Sequence, residues 1–245
     1  MKKCTGLSLF LFFFILTTFV SASAFRIPEK LVYDLTWAGI KTGTATLEIR
    51  NENEKIRIVS TARSVDWVSV FYTVEDKIEA ELSPPGPSAV FGTPRSYRVR
   101  IREGGHRRNK EVVFDCLNRR AYFTDHLSGE KMDVEIRDKT FDPLSSFYYI
   151  RTLKPQVGRS VYVEVLDNKK LWNVEVQIIR RERVSTRLGD FDTIVIKPIL
   201  KSEGIFNRRG DMYIWLTDDD RHVPVKLQTK VALGRVTATL KGGNY

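Results

Sequence analysis

Few side chains in this 245-residue chain have the types that carry chemistry, and their spacing argues against the familiar reactions. His106, His126 and His222 are far apart, each in a polar, turn-like stretch, and each reads as a solvated loop residue. None stands at a metal-ligand spacing, and no His-Glu-x-x-His, paired-cysteine or Gly-x-Ser-x-Gly pattern occurs, which removes the usual zinc and serine-hydrolase signatures. Asp218-Asp219-Asp220 could offer oxygens to a hard cation, but the run continues into Arg221 and His222, not into the Gly and distant Glu of a calcium loop. It reads as a tight turn whose carboxylates cap backbone N–H groups. Two carboxylates from the set Asp142, Asp218 and Asp220 would cleave a glycosidic bond only if they faced each other across a gap of roughly 5–9.5 Å. An envelope polysaccharide enzyme is therefore the last-ranked reading, and no catalytic residue, metal or cofactor is assigned.

Binding chemistry is better supplied. Phe147, Tyr148, Tyr149 and Trp215 would furnish an apolar wall, with Arg151 or Arg221 meeting an anionic headgroup. The first three lie in Phe141–Arg151, where Asp142 followed by Pro143 is a helix start, an Asp N-cap with Pro at the first helical position. One short helix is predicted over residues 143–154, with Leu144, Phe147, Tyr148 and Arg151 on one face and Pro155 beyond its end. The same residues also make sense as structure: Asp142 and Arg151 capping a helix whose aromatic face fills the interior, Arg221 ion-paired to fix its turn, Pro224 protecting a sheet edge. Aromatic stripes more often build cores than ligand walls, so the structural reading carries more weight.

Everything else that would position these residues reads as strand. Val74, Ile78, Ala80 and Leu82 alternate with charged positions, as do Tyr97, Val99 and Ile101 with three arginines. Val174, Val176 and Ile178, then Val223 to Val231, then Val236, Ala238 and Leu240 repeat the pattern. One buried and one wet face is the habit of an antiparallel sheet. Turns are expected at 39–43, 104–105, 127–130 and 233–235, and the prolines of Ser83–Pro87 make a loop within one sheet. The fold class is mostly β: an antiparallel curved sheet or incomplete β-barrel with one short helix. A lipid-spanning barrel is disfavoured because 29% of residues are charged and the polar face is dense in Lys, Arg and Glu.

The first residues set the compartment. Lys2 and Lys3, an apolar run from Leu7 to Val20 and Ser21-Ala22-Ser23-Ala24 read as a signal peptide cleaved after Ala24, the apolar run being too short for a membrane anchor. Residues 25–245 would be one exported domain, periplasmic in a cell with two membranes and extracellular otherwise. Removing the two lysines takes the formal charge from +10 to +8. Outside the cytoplasm the candidate partners of a basic surface are lipid, glycan and other anionic envelope components, with peripheral membrane contact and not nucleic acid, although charge that only keeps the protein soluble carries more weight. Cys116, the one cysteine of that domain, follows Val112, Val113 and Phe114 and reads as a buried, inert thiol.

Two segments resemble an exported bacterial family, domain of unknown function 3108. Asp142-Pro143-Leu144-Ser145-Ser146-Phe147-Tyr148-Tyr149-Ile150-Arg151 is similar to its Asp, Leu-Ser, paired-aromatic and Arg pattern. Ile214 to Val225, with Trp215-Leu216, Asp218, Arg221 and Pro224-Val225, is similar to its Trp-Leu, Asp, Arg and Pro-Val pattern. Leu31–Trp37 with Gly39 and Gly43 looks like the family's opening strand and turn, and Gly189–Thr193 like its late hairpin. The likeness runs from about residue 29 to about residue 240, implies a mostly β exported domain, and brings no chemistry with it. Two functions are carried forward: a non-catalytic binding module for an apolar or amphipathic envelope ligand, and a structural or assembly factor working through protein or polymer contacts.

Overall fold

The computed structural model describes residues 26–86, 89, 91–199, 211–231 and 234–245. The expected signal peptide lies outside the described residues, as do Pro87 of the expected 83–87 loop and Leu233 of the expected 233–235 turn.

Alternating sequence becomes strand throughout. The first half comprises β1 (Glu29–Trp37), β2 (Ile40–Glu52), β3 (Lys55–Ser64), helix α1 (Asp66–Ser69), β4 (Glu75–Ser83), β5 (Thr93–Glu103), β6 (His106–Asp115), β7 (Arg120–Asp125) and β8 (Lys131–Glu135). After helix α2 (Pro143–Arg151) come β9 (Ser160–Asp167), β10 (Lys170–Thr186), β11 (Gly189–Ile199), β12 (Met212–Thr217), β13 (Pro224–Val231) and β14 (Gly234–Asn244). Among the described residues all fourteen strands form one antiparallel sheet in the order β8-β7-β6-β5-β4-β3-β2-β1-β14-β13-β12-β11-β10-β9. Sequence neighbours pair with one another except β8 and β9, and β1 pairs with β14 to join the two ends of the chain. The fold is thus the expected curved, incompletely closed antiparallel sheet.

The opening lies between β8 and β9, and the connection containing α2 spans it. Phe141 N–H donates to the Glu164 carbonyl at 2.9 Å, and Leu166 N–H donates to the Phe141 carbonyl at 2.8 Å, a parallel bridge onto β9. Side chains cross the same gap: Arg137 to Glu164 at 3.0 Å, Lys110 to Asn168 at 2.8 Å and Lys169 to Glu130 at 2.9 Å.

Register decides what fills the concave face. Ile58, Ala80, Tyr97, Val112 and Phe123 stand opposite one another across β3 to β7, and all are buried. Full burial of such side chains stabilises by roughly 1.5–3 kcal/mol each before chain entropy is subtracted. The opposite face of these strands is ionic: Glu79 meets Arg57 at 2.6 Å, Lys77 at 2.9 Å and Arg100 at 3.1 Å. Close strand approach requires Gly43 in β2, where a Cβ would collide with the Arg63 carbonyl of β3.

Two details depart from the sequence reading. The helix predicted to run to 154 ends at Arg151, because the last turn tightens: Thr152 N–H donates to Tyr149 O at 2.9 Å and Leu153 N–H to Ile150 O at 3.1 Å. A second helix, α1, was not expected, since Val65, Val68 and Val70 favour strand. It is pinned from outside: Ser64 Oγ shares a 2.7 Å hydrogen bond with Ser69 Oγ and accepts one from Val74 N–H at 2.9 Å.

Candidate functional site

Helix α2 organises the candidate site. Asp142 is its N-cap: one carboxylate oxygen accepts from Leu144 N–H and Ser145 N–H, both at 2.9 Å, and the other accepts from the Ser145 hydroxyl. No part of Asp142 is exposed, and burial pushes its carboxyl up to about 6 although the Ser145 and backbone hydrogen bonds pull the other way.

The far end of α2 is held by a buried ion pair. Arg151, fully buried, donates Nη1 to Glu29 Oε1 at 2.7 Å and Nη2 to Glu29 Oε2 at 2.8 Å. Its Nε donates to the His222 carbonyl at 3.0 Å, and Nη2 reaches the Arg221 carbonyl at 3.3 Å. Burial opposes the guanidinium charge, but Glu29 outweighs it and holds Arg151 above its ordinary value. His222 Nδ1 lies 2.7 Å from the Arg151 carbonyl, an acceptor, so that nitrogen carries the proton. The Tyr148 ring sits 5.0 Å from the Arg151 guanidinium, and its hydroxyl donates to Glu29 Oε1 at 3.5 Å. Tyr33 donates to the Pro224 carbonyl at 2.8 Å, and burial pushes both phenols up. One cation therefore ties three remote segments together: the end of α2, the start of β1 and the β12–β13 turn.

Beneath the other side of α2 is an apolar groove of about 100 Å³. Phe147 and Ile150 of α2 form one wall, and Val163, Val174, Ile196 and Ile214 of β9 to β12 form the other. Asp167, Trp172 and Asn173 contribute its polar part. The volume is well below the roughly 300–1,000 Å³ of a pocket that encloses a drug-sized ligand. It approaches the apolar cavity of about 150 Å³ that takes a benzene ring. The groove therefore fits the end of one apolar chain and not a whole lipid.

The structure separates the residues that the sequence suggested as one wall. Phe147 lines the groove. Tyr149 instead stacks on Phe141, with ring centroids 4.6 Å apart, and helps seal the gap at β9. Tyr148 and Arg151 belong to the ion-pair assembly. Trp215 faces away, because Ile214 lines the groove and consecutive strand residues point to opposite faces. Its indole N–H donates to Glu182 and its ring lies 4.5 Å from Lys226 Nζ. Arg221 is exposed and fixes its own turn through Asp219 at 3.0 Å. Asp218 pairs with Arg181 at 2.6 Å, so the three carboxylates Asp142, Asp218 and Asp220 do not converge on a cleft: one is a buried cap and two are on an exposed turn.

Three readings of single residues change. Pro224 stands at no sheet edge: it opposes Leu216 inside the sheet, at a register shift where a missing ladder N–H is tolerated. His222 is built into the assembly under α2 and is not a free loop residue. Cys116 is half-buried and its Sγ lies 3.6 Å from the Pro94 carbonyl, with burial pushing the thiol up.

Glu29 and Tyr33 were missed altogether. The signal was present: both share the inward parity of Leu31 in β1, and an acid on an apolar parity asks for a buried partner. Among the described residues no cluster of three His, Cys, Asp or Glu could hold a metal ion, and no helix is long and apolar enough to cross a membrane.

Comparison with known proteins agrees with this geometry. None of the curated proteins compared matches the chain. A solved structure described as a beta-barrel-like protein of domain of unknown function DUF1849 from Brucella abortus superposes with a TM-score of 0.56. The superposition covers 90% of this chain and 98% of that one at 9% identity, a likeness of fold alone. The family model "Protein of unknown function (DUF3108)" matches residues 32–241, which takes in β2 to β13, α2 and both motif segments; the chain belongs to that family.

Proposed function

We propose that the protein is a non-catalytic binding module that takes the apolar end of an amphipathic envelope ligand into the groove between α2 and β9–β12. The observation that carries this reading is a concave, almost wholly apolar surface, with Phe147 and Ile150 facing Val163, Val174, Ile196 and Ile214 and left partly uncovered by the packing of the described residues. An uncovered apolar hollow favours an apolar occupant. Asp167, Trp172 and Asn173 in its lining suit a ligand with a polar end. Export and a periplasmic or extracellular setting belong to the same proposal and rest on residues 1–24.

Native mass spectrometry of the purified protein, before and after addition of a medium-chain fatty acid, tests it. A one-to-one adduct that Val174→Phe abolishes is expected. No adduct, or an adduct indifferent to Val174→Phe, overturns it.

A further inference from the structure

Four large apolar side chains stand in solvent within six residues of the β3–β4 connection: Trp67, Val70, Phe71 and Tyr72, with Phe71 at 87% and Val70 at 76% exposure. Isolated exposed apolar residues need no explanation, but a contiguous group does. The segment is held, not loose. Val65 N–H donates to the Thr42 carbonyl of β2 at 3.0 Å, and Gly104 N–H of the β5–β6 turn donates to the Thr73 carbonyl at 2.8 Å. A Cβ on Gly104 would collide with the Tyr72 ring, so that turn and the stretch following α1 are fitted to each other. The β1–β2 turn at the same end of the sheet adds Trp37 and Ile40, the latter 61% exposed. Arg235 follows immediately, its carbonyl accepting from Ala38 N–H at 3.4 Å.

Charge rings this apolar tip. Lys41 is held by Asp34 at 2.7 Å, while Arg63 and Arg102 share Glu75 at 3.8 and 3.5 Å. Arg107 donates to the carbonyls of Gly104 and His106, at 2.7 and 2.9 Å. Arg107 and Arg235 are exposed and have no carboxylate partner among the described residues, so two guanidinium groups stand open to solvent at the rim alongside the carboxylates of Asp66, Asp76 and Glu103. Trp, Tyr and Phe at a polar boundary with Arg outside them match the composition of a membrane interface.

We propose that this end of the sheet, with Trp67, Val70, Phe71 and Ile40 as anchors and Arg107 and Arg235 as flanking cations, docks on the surface of an anionic lipid bilayer. The site is separate from the groove under α2 and does not depend on that reading. Each aromatic anchor that enters the interface is worth roughly a tenfold gain in partitioning or more.

The test is sedimentation of the protein with vesicles of phosphatidylcholine alone and with about a third phosphatidylglycerol. Binding is expected to the anionic vesicles, to weaken as salt rises, and to fall by about a hundredfold in Trp67→Glu with Phe71→Glu, the two anchors taken together. Arg107→Glu with Arg235→Glu weakens it as well. Leu117→Ser removes an equally exposed apolar residue, 97% accessible, from the opposite end of β6 and leaves binding unchanged. Far-UV circular dichroism verifies that each variant is folded. Binding that ignores lipid charge, that survives the double anchor variant, or that Leu117→Ser removes equally overturns the proposal. A dimer in ultracentrifugation that the anchor variant dissociates, without vesicle binding, assigns the tip to a second copy of the chain and also overturns it.

Discussion

Removing the Arg151 side chain as Arg151→Met leaves the Glu29 carboxylate buried without its bidentate partner. The wild-type contacts are two charge-assisted bonds at 2.7 and 2.8 Å plus donors to the carbonyls of His222 and Arg221 at 3.0 and 3.3 Å. Breaking one side of such a pair costs about 3–5 kcal/mol, most of it the unpaired charge left behind. That is a large share of the roughly 5–15 kcal/mol that holds a domain together. For a chain of this size each kcal/mol moves Tm by about 2–4 °C, so the variant melts about 6–20 °C lower. Replacing both partners, Arg151→Met with Glu29→Met, removes the orphaned charge and returns more than half of the loss. Urea unfolding followed by tryptophan emission measures all four corners of the cycle. A single variant that costs less than about 1 kcal/mol, or single costs that simply add, would refute the assignment of this pair as the fastening of α2.

Other consequences are simpler to check. Asp142, raised to about 6 against an unfolded value of 3.8, binds its proton more tightly when folded. Its contribution is fully present below about pH 4 and is lost as pH rises through about 6, a difference of about 3 kcal/mol. Asp142→Asn keeps a capping oxygen and flattens that part of the stability–pH curve, which denaturant titration at pH 4 and pH 7 reads directly. Gly43→Ala forces a Cβ onto the Arg63 carbonyl and lowers stability by about 1–3 kcal/mol, whereas alanine at the open, exposed Gly105 does not, as thermal melts of the two variants will show. His222→Ala removes the bond to the Arg151 carbonyl at a cost of about 1 kcal/mol by the same unfolding assay.

Period-two alternation was enough to read the sheet and its inward residues, because a one-residue slip would turn every apolar side chain to water. The α2 start was legible from Asp142-Pro143, since a cap is a local device. Its binding partners were not. Glu29 lies 122 positions from Arg151, and only the fold brings them together. The motif segments therefore looked like one ligand wall when read along the chain. In space they divide into a fastening (Tyr148, Arg151 and His222), a seal (Tyr149) and a groove wall (Phe147). Trp215 was misplaced for a related reason: alternation gives two faces, and on β12 both are buried, so composition could not tell inside from outside. Helix α1 is a single turn, too short for a helical period to register against its valines.

Methyl-labelled NMR during titration with a medium-chain fatty acid tests the central claim most directly. Shifts are expected at Ile150, Val163, Val174, Ile196 and Ile214, the methyls around the groove, while Ile49, Ile58 and Leu82 in the packed half of the sheet stay in place. A spectrum that does not move, or that moves in the β1–β5 core and not beneath α2, would contradict the account.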